Sequence, residues 1–444
     1  MTRVHRADSD ELRRHVTHLR DGQSSLDPVL ETIGDSPLVL LGEATHGSHE
    51  FYDIRARITR RLLEEKGFDA VAVEADWPDA YRVNRYVRGQ GNDDSATEAL
   101  AGFERFPQWM WRNTAVVDFV EWLAAFNDSR SAAGRVGFYG LDLYSLYRSA
   151  DAVIRYLDEV DPEAGRRARA RYGCFDHSLG NPQDYGYEAG LGLREDCSEQ
   201  AVQQLVELEH GAAEYLRRDG LVASDEQFFA EQNAQVVANA EEYYRAMFTG
   251  RMNTWNLRDR HMSGTLTELR RHLRKQGRAG RIVVWAHNSH IGDARATSMG
   301  VRGELNVGQI IRETVGSDAV LIGFTTFEGT VAAASDWDSP VEMKSVRPAI
   351  EGSVEQLFHQ LGGDLFLPMH AAEVGQLLSG PLYERAIGVI YRPQTEMVSH
   401  YFQARVAEQF DGVVHIDRTQ ALQPLDLTPA WEPERVPETY PFGT

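Results

Sequence analysis

The chain has 444 residues and carries 46 basic against 67 acidic side chains, so its formal net charge is −21 at pH 7. Such an acidic surface repels phosphate backbones, and the sequence contains no basic stripe with interleaved aromatic residues, so nucleic acid is not expected as a partner. No apolar run approaches the roughly 18 residues that span a bilayer, and residues 1–8 contain no apolar signal segment. We therefore expect a cytoplasmic protein without a membrane partner.

Short apolar, β-branched runs alternate with helical periodicity along most of the chain. Helical patterns fill the intervals, for example residues 51–65 and 114–126. Because parallel neighbours require a crossover, this alternation predicts an α/β fold with a mostly parallel central sheet flanked by helices. The predicted strands cover residues 37–42, 70–74, 136–140, 282–286, 319–324, 365–367, 386–391 and 413–416.

The middle of the chain departs from this alternation. Residues 173–192 are rich in glycine and predict a long lid or binding loop that holds Tyr185. No strand pattern follows between about residues 198 and 275, where two long helical patterns predict an insertion that caps the cleft. We therefore divide the chain into 1–197 (first part of the α/β core), 198–278 (helical cap) and 279–444 (second part of the core).

Cys174 and Cys197 are the only cysteines. Two cysteines in a chain of this length do not make a disulfide framework, so reduced thiols are expected. A single regulatory disulfide between them is the alternative. Neither residue has a general base near it in sequence, which favours a packing role for both.

Residues suited to acid–base chemistry follow four of the predicted strands. In a parallel sheet the carboxyl ends of strands meet at one edge, where open α/β sheets bind their ligands. Unpaired buried charge is costly, so this concentration of polar groups indicates a site. In chain order the residues are Glu43 and His46, Glu74 and Asp76, Asp142, and His287 and His290.

A histidine with a carboxylate neighbour is the natural general base at neutral pH. We predict that His46 deprotonates water, with Glu43 and Glu74 orienting it and balancing its charge. His287, His290 and Arg55 would then stabilise the oxyanion of the transition state. A serine nucleophile is less favoured, because neither nearby serine lies in a Gly-x-Ser-x-Gly turn.

A metal-dependent hydrolase is the main alternative. His46, Glu74, His287 and His290 are ligand types that suit zinc or manganese. However, the His-x-x-His pair follows a strand instead of lying one turn apart on a helix, and no cysteine is near it. We therefore predict a reaction without a cofactor, and keep a divalent metal as the alternative.

Six motifs spread along the chain resemble the erythromycin esterase family, some members of which are called succinoglycan biosynthesis proteins. The resemblance implies hydrolysis of an ester or lactone by water, as in the opening of macrolides that gives antibiotic resistance. It also implies functional roles for Glu43, Arg55, Glu74, His287 and His290, with His46 as the base. The motifs are residues 42–47 (GEATHG), 73–77 (VEADW), 138–142 (FYGLD), 256–262 (NLRDRHM), 285–290 (WAHNSH) and 388–393 (GVIYRP).

The expected partner is a small-molecule substrate. A non-hydrolytic tailoring enzyme, or a ligand-binding relative in a biosynthetic pathway, is the alternative from another functional class. Fold and pocket transfer between relatives better than the substrate does. The predicted substrate-binding residues are Asp76, Asp142, Tyr185, Arg258, His261 and Arg392.

Overall fold

A nine-stranded sheet forms the centre of the computed structural model, which describes residues 6–19, 23–178, 181–249, 254–427 and 431. Two further strands pair separately. Within the described residues the strands are β1 (Thr17–His18), β2 (Leu38–Leu41), β3 (Ala70–Asp76), β4 (Gly137–Asp142), β5 (Ile282–Trp285), β6 (Ala319–Ala334), β7 (Val341–Val346), β8 (Leu365–Pro368), β9 (Leu382–Arg385), β10 (Tyr401–Ala404) and β11 (Gly412–Thr419).

Helices connect most of these strands. Short 3₁₀ turns lie at Gln23–Leu26, Leu100–Gly102, Gln108–Met110, Ala132–Gly134, Gly173–Ser178, Ala294–Ala296, Gly316–Asp318 and Pro393–Thr395. The α-helices are α1 (Arg6–Leu12), α2 (Asp27–Ile33), α3 (His49–Glu65), α4 (Trp77–Val87), α5 (Ala96–Ala99), α6 (Thr114–Asp128), α7 (Leu146–Val160), α8 (Pro162–Tyr172), α9 (Pro182–Gly190), α10 (Ser198–Thr249), α11 (Thr254–Lys275), α12 (Asn288–Ile291), α13 (Ser298–Val301), α14 (Val307–Val315), α15 (Val354–Leu361), α16 (Ala372–Leu377), α17 (Glu396–Ser399) and α18 (Val406–Gln409).

The strand order of the large sheet is β1-β8-β11-β6-β2-β5-β3-β4, with β7 paired to β6. The pairings from β11 to β4 along this order are all parallel, whereas β1–β8, β8–β11 and β6–β7 are antiparallel. The predicted α/β fold with a mostly parallel sheet is therefore confirmed. The central strand β2 lies between β5 and β6, so the sheet extends on both sides of it, with β5, β3 and β4 on one side and β6, β11, β8 and β1 on the other.

Alternation along β2 divides the core between the two faces of the sheet. Leu38 and Leu40 pack on one side in a cluster that includes residues of α11, α14 and α15. Val39 and Leu41 pack on the other side with residues of α3 and α6. Because helices cover both faces, the strand is apolar at every position, as expected for a buried parallel strand.

Helices α7 to α10 form a third hydrophobic cluster of their own. Helix α11 instead packs on the sheet. The predicted boundaries at residues 197 and 278 stay a prediction. Most of α10 packs with α7–α9, while its Phe228 and Val236 join α11 in the cluster on the sheet. No helix among the described residues is both long and apolar enough to cross a membrane.

The prediction of a long glycine-rich loop over residues 173–192 is wrong, because most of this segment is helical. A side chain at Gly186 would place its Cβ 2.3 Å from the Tyr244 carbonyl oxygen, so this glycine allows α9 to pack closely against α10. The expectation of reduced thiols is also wrong. The structure joins Cys174 and Cys197 in a disulfide, which links the segment before α9 to the start of α10.

The predicted strand at residues 386–391 is also not formed. Only single bridges occur there, from Ile387 to Thr45 and from Ile390 to Ala334. Ile387 exchanges backbone hydrogen bonds with both Ala44 and His46. The segment therefore lies across the loop that follows β2, where it forms part of the site described below.

Candidate active site

The carboxyl ends of β2, β5, β3 and β4 lie side by side in the sheet. This order brings together the acids and histidines that follow these strands. The β3–β4 register shifts between Val73 and Asp76. A Cβ at Gly140 would lie 2.4 Å from the Ala75 carbonyl oxygen, so a glycine is required where β4 meets this irregularity.

A cavity of about 320 Å³ opens at this edge of the sheet. Of the predicted helical cap, the first turn of α11 reaches the cavity, whereas no described residue of α10 lines it. The apolar lining comes from Ala75, Phe103, Phe106, Pro107, Met110, Trp111, Tyr144, Trp255, Trp337, Ala386, Gly388 and Val389. The polar lining comes from His46, Glu74, Asp76, Asp79, Arg105, Asp142, Arg258, His287, Ser289 and His290.

The loop after β2 holds a histidine–carboxylate pair at the cavity. Glu43 is fully buried, and its Oε1 lies 2.8 Å from Nδ1 of His46. The second carboxylate oxygen, Oε2, accepts a hydrogen bond of 2.6 Å from Arg55. His46 is 7% exposed and lines the cavity. Because Glu43 engages Nδ1, the nitrogen that remains available to a ligand is Nε2.

Arg55 occupies a different place from the one predicted. It is completely buried on α3, with its guanidinium carbon 4.3 Å from the Tyr52 ring centroid and 5.1 Å from that of Trp285. It does not line the cavity, so direct contact with an oxyanion is not available to it. Its ion pair with Glu43 instead compensates the buried carboxylate, which would otherwise be costly.

A second histidine–carboxylate pair forms at the end of β5. Nδ1 of His290 lies 2.9 and 3.0 Å from the two carboxylate oxygens of Asp259, on α11. Its Nε2 lies 3.3 Å from Glu74 Oε1, and its ring stacks on Trp255 at 4.4 Å. Burial lowers the pKa of His290, but the charges of Asp259 and Glu74 outweigh burial and raise the pKa to about 9. The two carboxylates therefore favour the protonated ring, while the Arg258 guanidinium, 3.0 Å from Nε2, opposes it.

Arg258 connects the acids of neighbouring strands. Its guanidinium donates to Asp142 at 2.6 and 3.0 Å and to Glu74 at 2.7 Å. Burial raises the pKa of both acids, but the nearby positive charges of Arg258 and, for Glu74, of His290 reverse this effect and hold both pKa values below the usual range. Both acids are therefore ionised, and their charges are balanced inside the site.

His287 differs in character from His290. Its backbone N–H donates 2.8 Å to Glu74 Oε2, and its Nδ1 lies 2.8 Å from the hydroxyl of Ser289. Burial is the main reason that its pKa falls to about 3, and the nearby His46 lowers it further. His287 is therefore neutral at physiological pH. Its ring centroid lies 4.9 Å from that of His46.

Several of the predicted metal ligands are already engaged by other side chains. Glu74 and His290 are already engaged by Arg258 and Asp259, and Nδ1 of His46 is engaged by Glu43. The guanidinium of Arg258 holds the position among the acids that a cation would otherwise occupy. Within the part of the chain that the structure describes, no three His, Cys, Asp or Glu side chains are arranged to hold a metal.

Asp76 lines the cavity and is ion-paired to Arg105 at 3.1 Å. Asp79, one turn into α4, also lines the cavity and lies 2.7 Å from Arg148. Burial and the charge of Asp76 raise the pKa of Asp79 to about 8. This wall therefore pairs each of its two acids with an arginine.

Three of the predicted substrate-binding residues do not line the cavity. Tyr185 is buried in the cluster of α7–α10, where its hydroxyl donates to Glu241 at 2.8 Å. His261 is buried on α11 with its Nδ1 2.8 Å from Asn239. Arg392 is about half exposed and pairs with Asp336 at 3.2 Å. The three side chains are therefore placed by local packing, although His261 and Arg392 lie within the sequence motifs.

Several residues of the site were not among the predicted site residues. Asp259 follows Arg258 in the motif at residues 256–262, so the signal for it was present but ambiguous, because charged residues are common at helix starts. Arg105 and Trp337 also line the cavity, but they lie in segments without a chemical motif. Trp255 precedes the same motif, and only the structure shows its stacking on His290.

Comparisons with known proteins agree with this fold. The family model described as erythromycin esterase matches residues 63–419. The chain is 23% identical over 430 residues to erythromycin esterase type II of Escherichia coli, covering 91% of this chain and 94% of that protein. Its fold is similar to that of a succinoglycan biosynthesis protein (TM-score 0.72, 20% identity, 94% and 98% of the two chains covered).

A mutant erythromycin esterase solved in its open conformation is also similar, with a TM-score of 0.68, 18% identity, and 93% and 99% of the two chains covered. At these identities the solved structures establish the fold and leave the substrate open. The family match covers most of the chain, with the Glu43–His46 loop just before its start. This chain belongs to the erythromycin esterase family.

Proposed function

We propose that this protein hydrolyses an ester or lactone with a water molecule that His46 activates. The observation that carries the proposal is the hydrogen-bonded series Arg55–Glu43–His46, with distances of 2.6 and 2.8 Å, which ends at the cavity. A carboxylate on Nδ1 fixes the ring and stabilises the imidazolium that forms when Nε2 takes a proton. This is the arrangement that a general base requires.

The second pair supplies positive charge to the same cavity. In the proposed reaction, water attacks the carbonyl carbon while its proton moves to Nε2 of His46. The carbonyl oxygen becomes negative as the tetrahedral intermediate forms. His290, held as a cation between Asp259 and Glu74, stabilises that charge from within a site sheltered from solvent. Collapse of the intermediate returns the proton to the leaving oxygen.

The cavity supports an uncharged substrate with an apolar body. Aromatic side chains supply much of its lining, while the acids in it are already paired with arginines. Its volume is near the lower end of the roughly 300–1,000 Å³ that is usual for pockets binding drug-sized ligands. Because relatives are named erythromycin esterases, macrolide lactones are the first substrates to test.

We further propose that the reaction needs no metal. This rests on the donor set, because Glu74 is bound by Arg258 and both ring nitrogens of His290 have partners, which leaves only Nε2 of His46 and Nε2 of His287 among the predicted ligands. Positive charge at the transition state then comes from His290. No step requires a cofactor.

The proposal is tested with a panel of macrolide lactones and simple esters in water enriched in oxygen-18, read by mass spectrometry. We expect at least one compound to gain one labelled oxygen in its new carboxyl group. If none is cleaved while one of them raises the thermal unfolding temperature, the protein is a ligand-binding relative and the proposal fails.

A further inference from the structure

We propose that Ser289 is a positioning residue that fixes His287 as the tautomer with hydrogen on Nε2, and that this N–H is a hydrogen-bond donor to the oxyanion of the reaction. The donor role toward the oxyanion rests on the proposed ester hydrolysis. The tautomer of His287 is a property of the free protein and can be tested without a substrate.

The backbone of Ser289 decides which nitrogen of His287 carries hydrogen. The Ser289 N–H donates to Nδ1 of His287 over 3.2 Å. A backbone N–H cannot become an acceptor, so Nδ1 must present its lone pair. In a neutral imidazole the hydrogen then lies on Nε2.

The Ser289 hydroxyl strengthens this assignment. Its oxygen lies 2.8 Å from the same Nδ1, and a hydroxyl can either donate or accept. Because the backbone N–H already requires a lone pair on Nδ1, the hydroxyl donates as well. Two donors then face one ring nitrogen, which opposes protonation of Nδ1. The low pKa of His287, caused mainly by burial, agrees with a neutral ring.

Other contacts hold Ser289 in place for this role. The side-chain amide of Asn306 donates to the Ser289 carbonyl oxygen at 2.7 Å and to that of Gly292 at 2.5 Å. The neighbouring Asn288 accepts from the backbone N–H of Phe324 and donates to its carbonyl, which ties the turn to β6. The donors of residue 289 are therefore presented by a fixed backbone.

The other ring nitrogen of His287 has no well-formed hydrogen bond. Nε2 is buried and makes no hydrogen bond of good geometry within the described residues, although the Ala44 carbonyl faces the ring and raises its pKa. A buried donor without a partner costs about 1–3 kcal/mol. The ring lines the cavity beside His46, so a substrate oxygen placed for attack by the water on His46 would satisfy this donor.

The arrangement divides the work between the histidines. His46 accepts a proton, His290 supplies fixed charge, and His287 offers a neutral N–H that does not depend on pH near neutrality. Because His287 only donates a hydrogen bond, its ring does not have to gain or lose a proton during turnover. The strength of the contact rises as the carbonyl oxygen becomes negative, which is the requirement for transition-state stabilisation.

The tautomer is read directly by long-range proton–nitrogen correlation of protein labelled with nitrogen-15 at histidine, without any substrate. The signals that disappear in His287→Gln belong to His287. We expect them to show hydrogen on Nε2 at neutral pH. Hydrogen on Nδ1, or on both nitrogens, overturns the inference even if ester hydrolysis is found.

The donor role is tested with a matched set of variants on a cleaved ester. Glutamine can place its amide near the position of Nε2, whereas asparagine reaches only near Nδ1. We expect His287→Gln to keep kcat within about tenfold of wild type, and His287→Asn and His287→Ala to lose about 10²–10³-fold in kcat with little change in KM. An asparagine variant as active as the glutamine variant contradicts the role.

The positioning role is tested with Ser289→Ala, which keeps the backbone donor and removes the hydroxyl. We expect a fall in kcat of about three- to tenfold, because one of two donors to Nδ1 remains. Ser289→Thr retains a hydroxyl and is expected to restore most of that loss. Thermal unfolding of each variant separates these effects from misfolding. If the wild type cleaves an ester and Ser289→Ala has the same kcat, the Ser289 hydroxyl has no positioning role.

Discussion

Two histidine–carboxylate pairs face the same cavity, and they differ in what surrounds them. In the Glu43–His46 pair, the carboxylate is tied to Arg55 and the far nitrogen of the histidine is left for a ligand. In the Asp259–His290 pair, both ring nitrogens have partners. Nδ1 meets Asp259, and Nε2 lies between Glu74 and Arg258.

The difference shows how one chemical pair can serve two purposes. An imidazole with a free nitrogen can accept a proton, whereas an imidazole with a carboxylate near each nitrogen holds its proton more firmly. The buried guanidinium lies behind the acid in the first pair and beside the histidine in the second. Function therefore depends on the neighbours of each pair and not on the pair itself.

The largest expected effect comes from removing the charge of the first carboxylate. Glu43→Gln keeps the shape of the side chain but no longer stabilises an imidazolium at His46. We expect kcat to fall about 10³–10⁴-fold, by analogy with amide substitution in Ser-His-Asp enzymes. Glu65→Gln, at the exposed end of the same α3, is the control. A loss below tenfold in Glu43→Gln contradicts the assignment of His46 as base.

An intermediate effect is expected from the second pair. In Asp259→Asn the proton on His290 loses its main support, and kcat should fall about 10²-fold because charge at the oxyanion is reduced. Asp225→Asn is a matched control, since Asp225 is also buried and bonded to a histidine, His272 at 2.9 Å, away from the cavity. Equal losses of kcat in the two variants would mean that Asp259→Asn acts through the stability of the fold and not through the charge of His290.

The same variant gives a pH signature in stability. The pKa of His290 is raised from 6.5 to about 9, so its contribution is complete below about pH 6.5 and is lost as the pH rises through 9. The difference in free energy of unfolding between wild type and Asp259→Asn, from urea titrations, should shrink by at most about 3 kcal/mol over that interval. A constant difference would mean that His290 is neutral throughout.

The smallest expected effect lies behind the first pair. Arg55→Lys keeps the positive charge but loses the planar group that lies near Tyr52 and Trp285 while bonding Glu43. We expect about a tenfold fall in kcat, because Glu43 loses orientation but not charge compensation. Arg57→Lys, on the same helix and partly exposed, is the control. A loss as large as that of Glu43→Gln would place Arg55 closer to the reaction than the structure does.

The sequence was most informative where function depends on strand ends. Parallel pairing alone is enough to bring strand ends to one edge. The residues that lie at the carboxyl end of an apolar strand or soon after it are Glu43, His46, Glu74, Asp142 and His287. The fold class followed from the same alternation of strands and helices. These features are local, so a single sequence contains them.

The remaining features depend on contacts between distant segments. Asp259 lies 31 residues before His290, and only the packing of α11 brings the two together. Gly186 serves close helix packing, although its surroundings resemble a loop in sequence. The disulfide between Cys174 and Cys197 follows from α9 folding onto α10, which the spacing of 23 residues does not show. Tertiary packing overrides local pattern at each of these places.

The most direct test of the account compares two preparations on one cleaved ester: wild type dialysed against EDTA, and His46→Asn. We expect the metal-depleted wild type to keep its full kcat and His46→Asn to lose at least about 10³-fold, since the base that activates water is gone. His46→Asn turnover within tenfold of wild type, or a wild-type rate that disappears with EDTA and returns with added metal, would contradict water activation by His46.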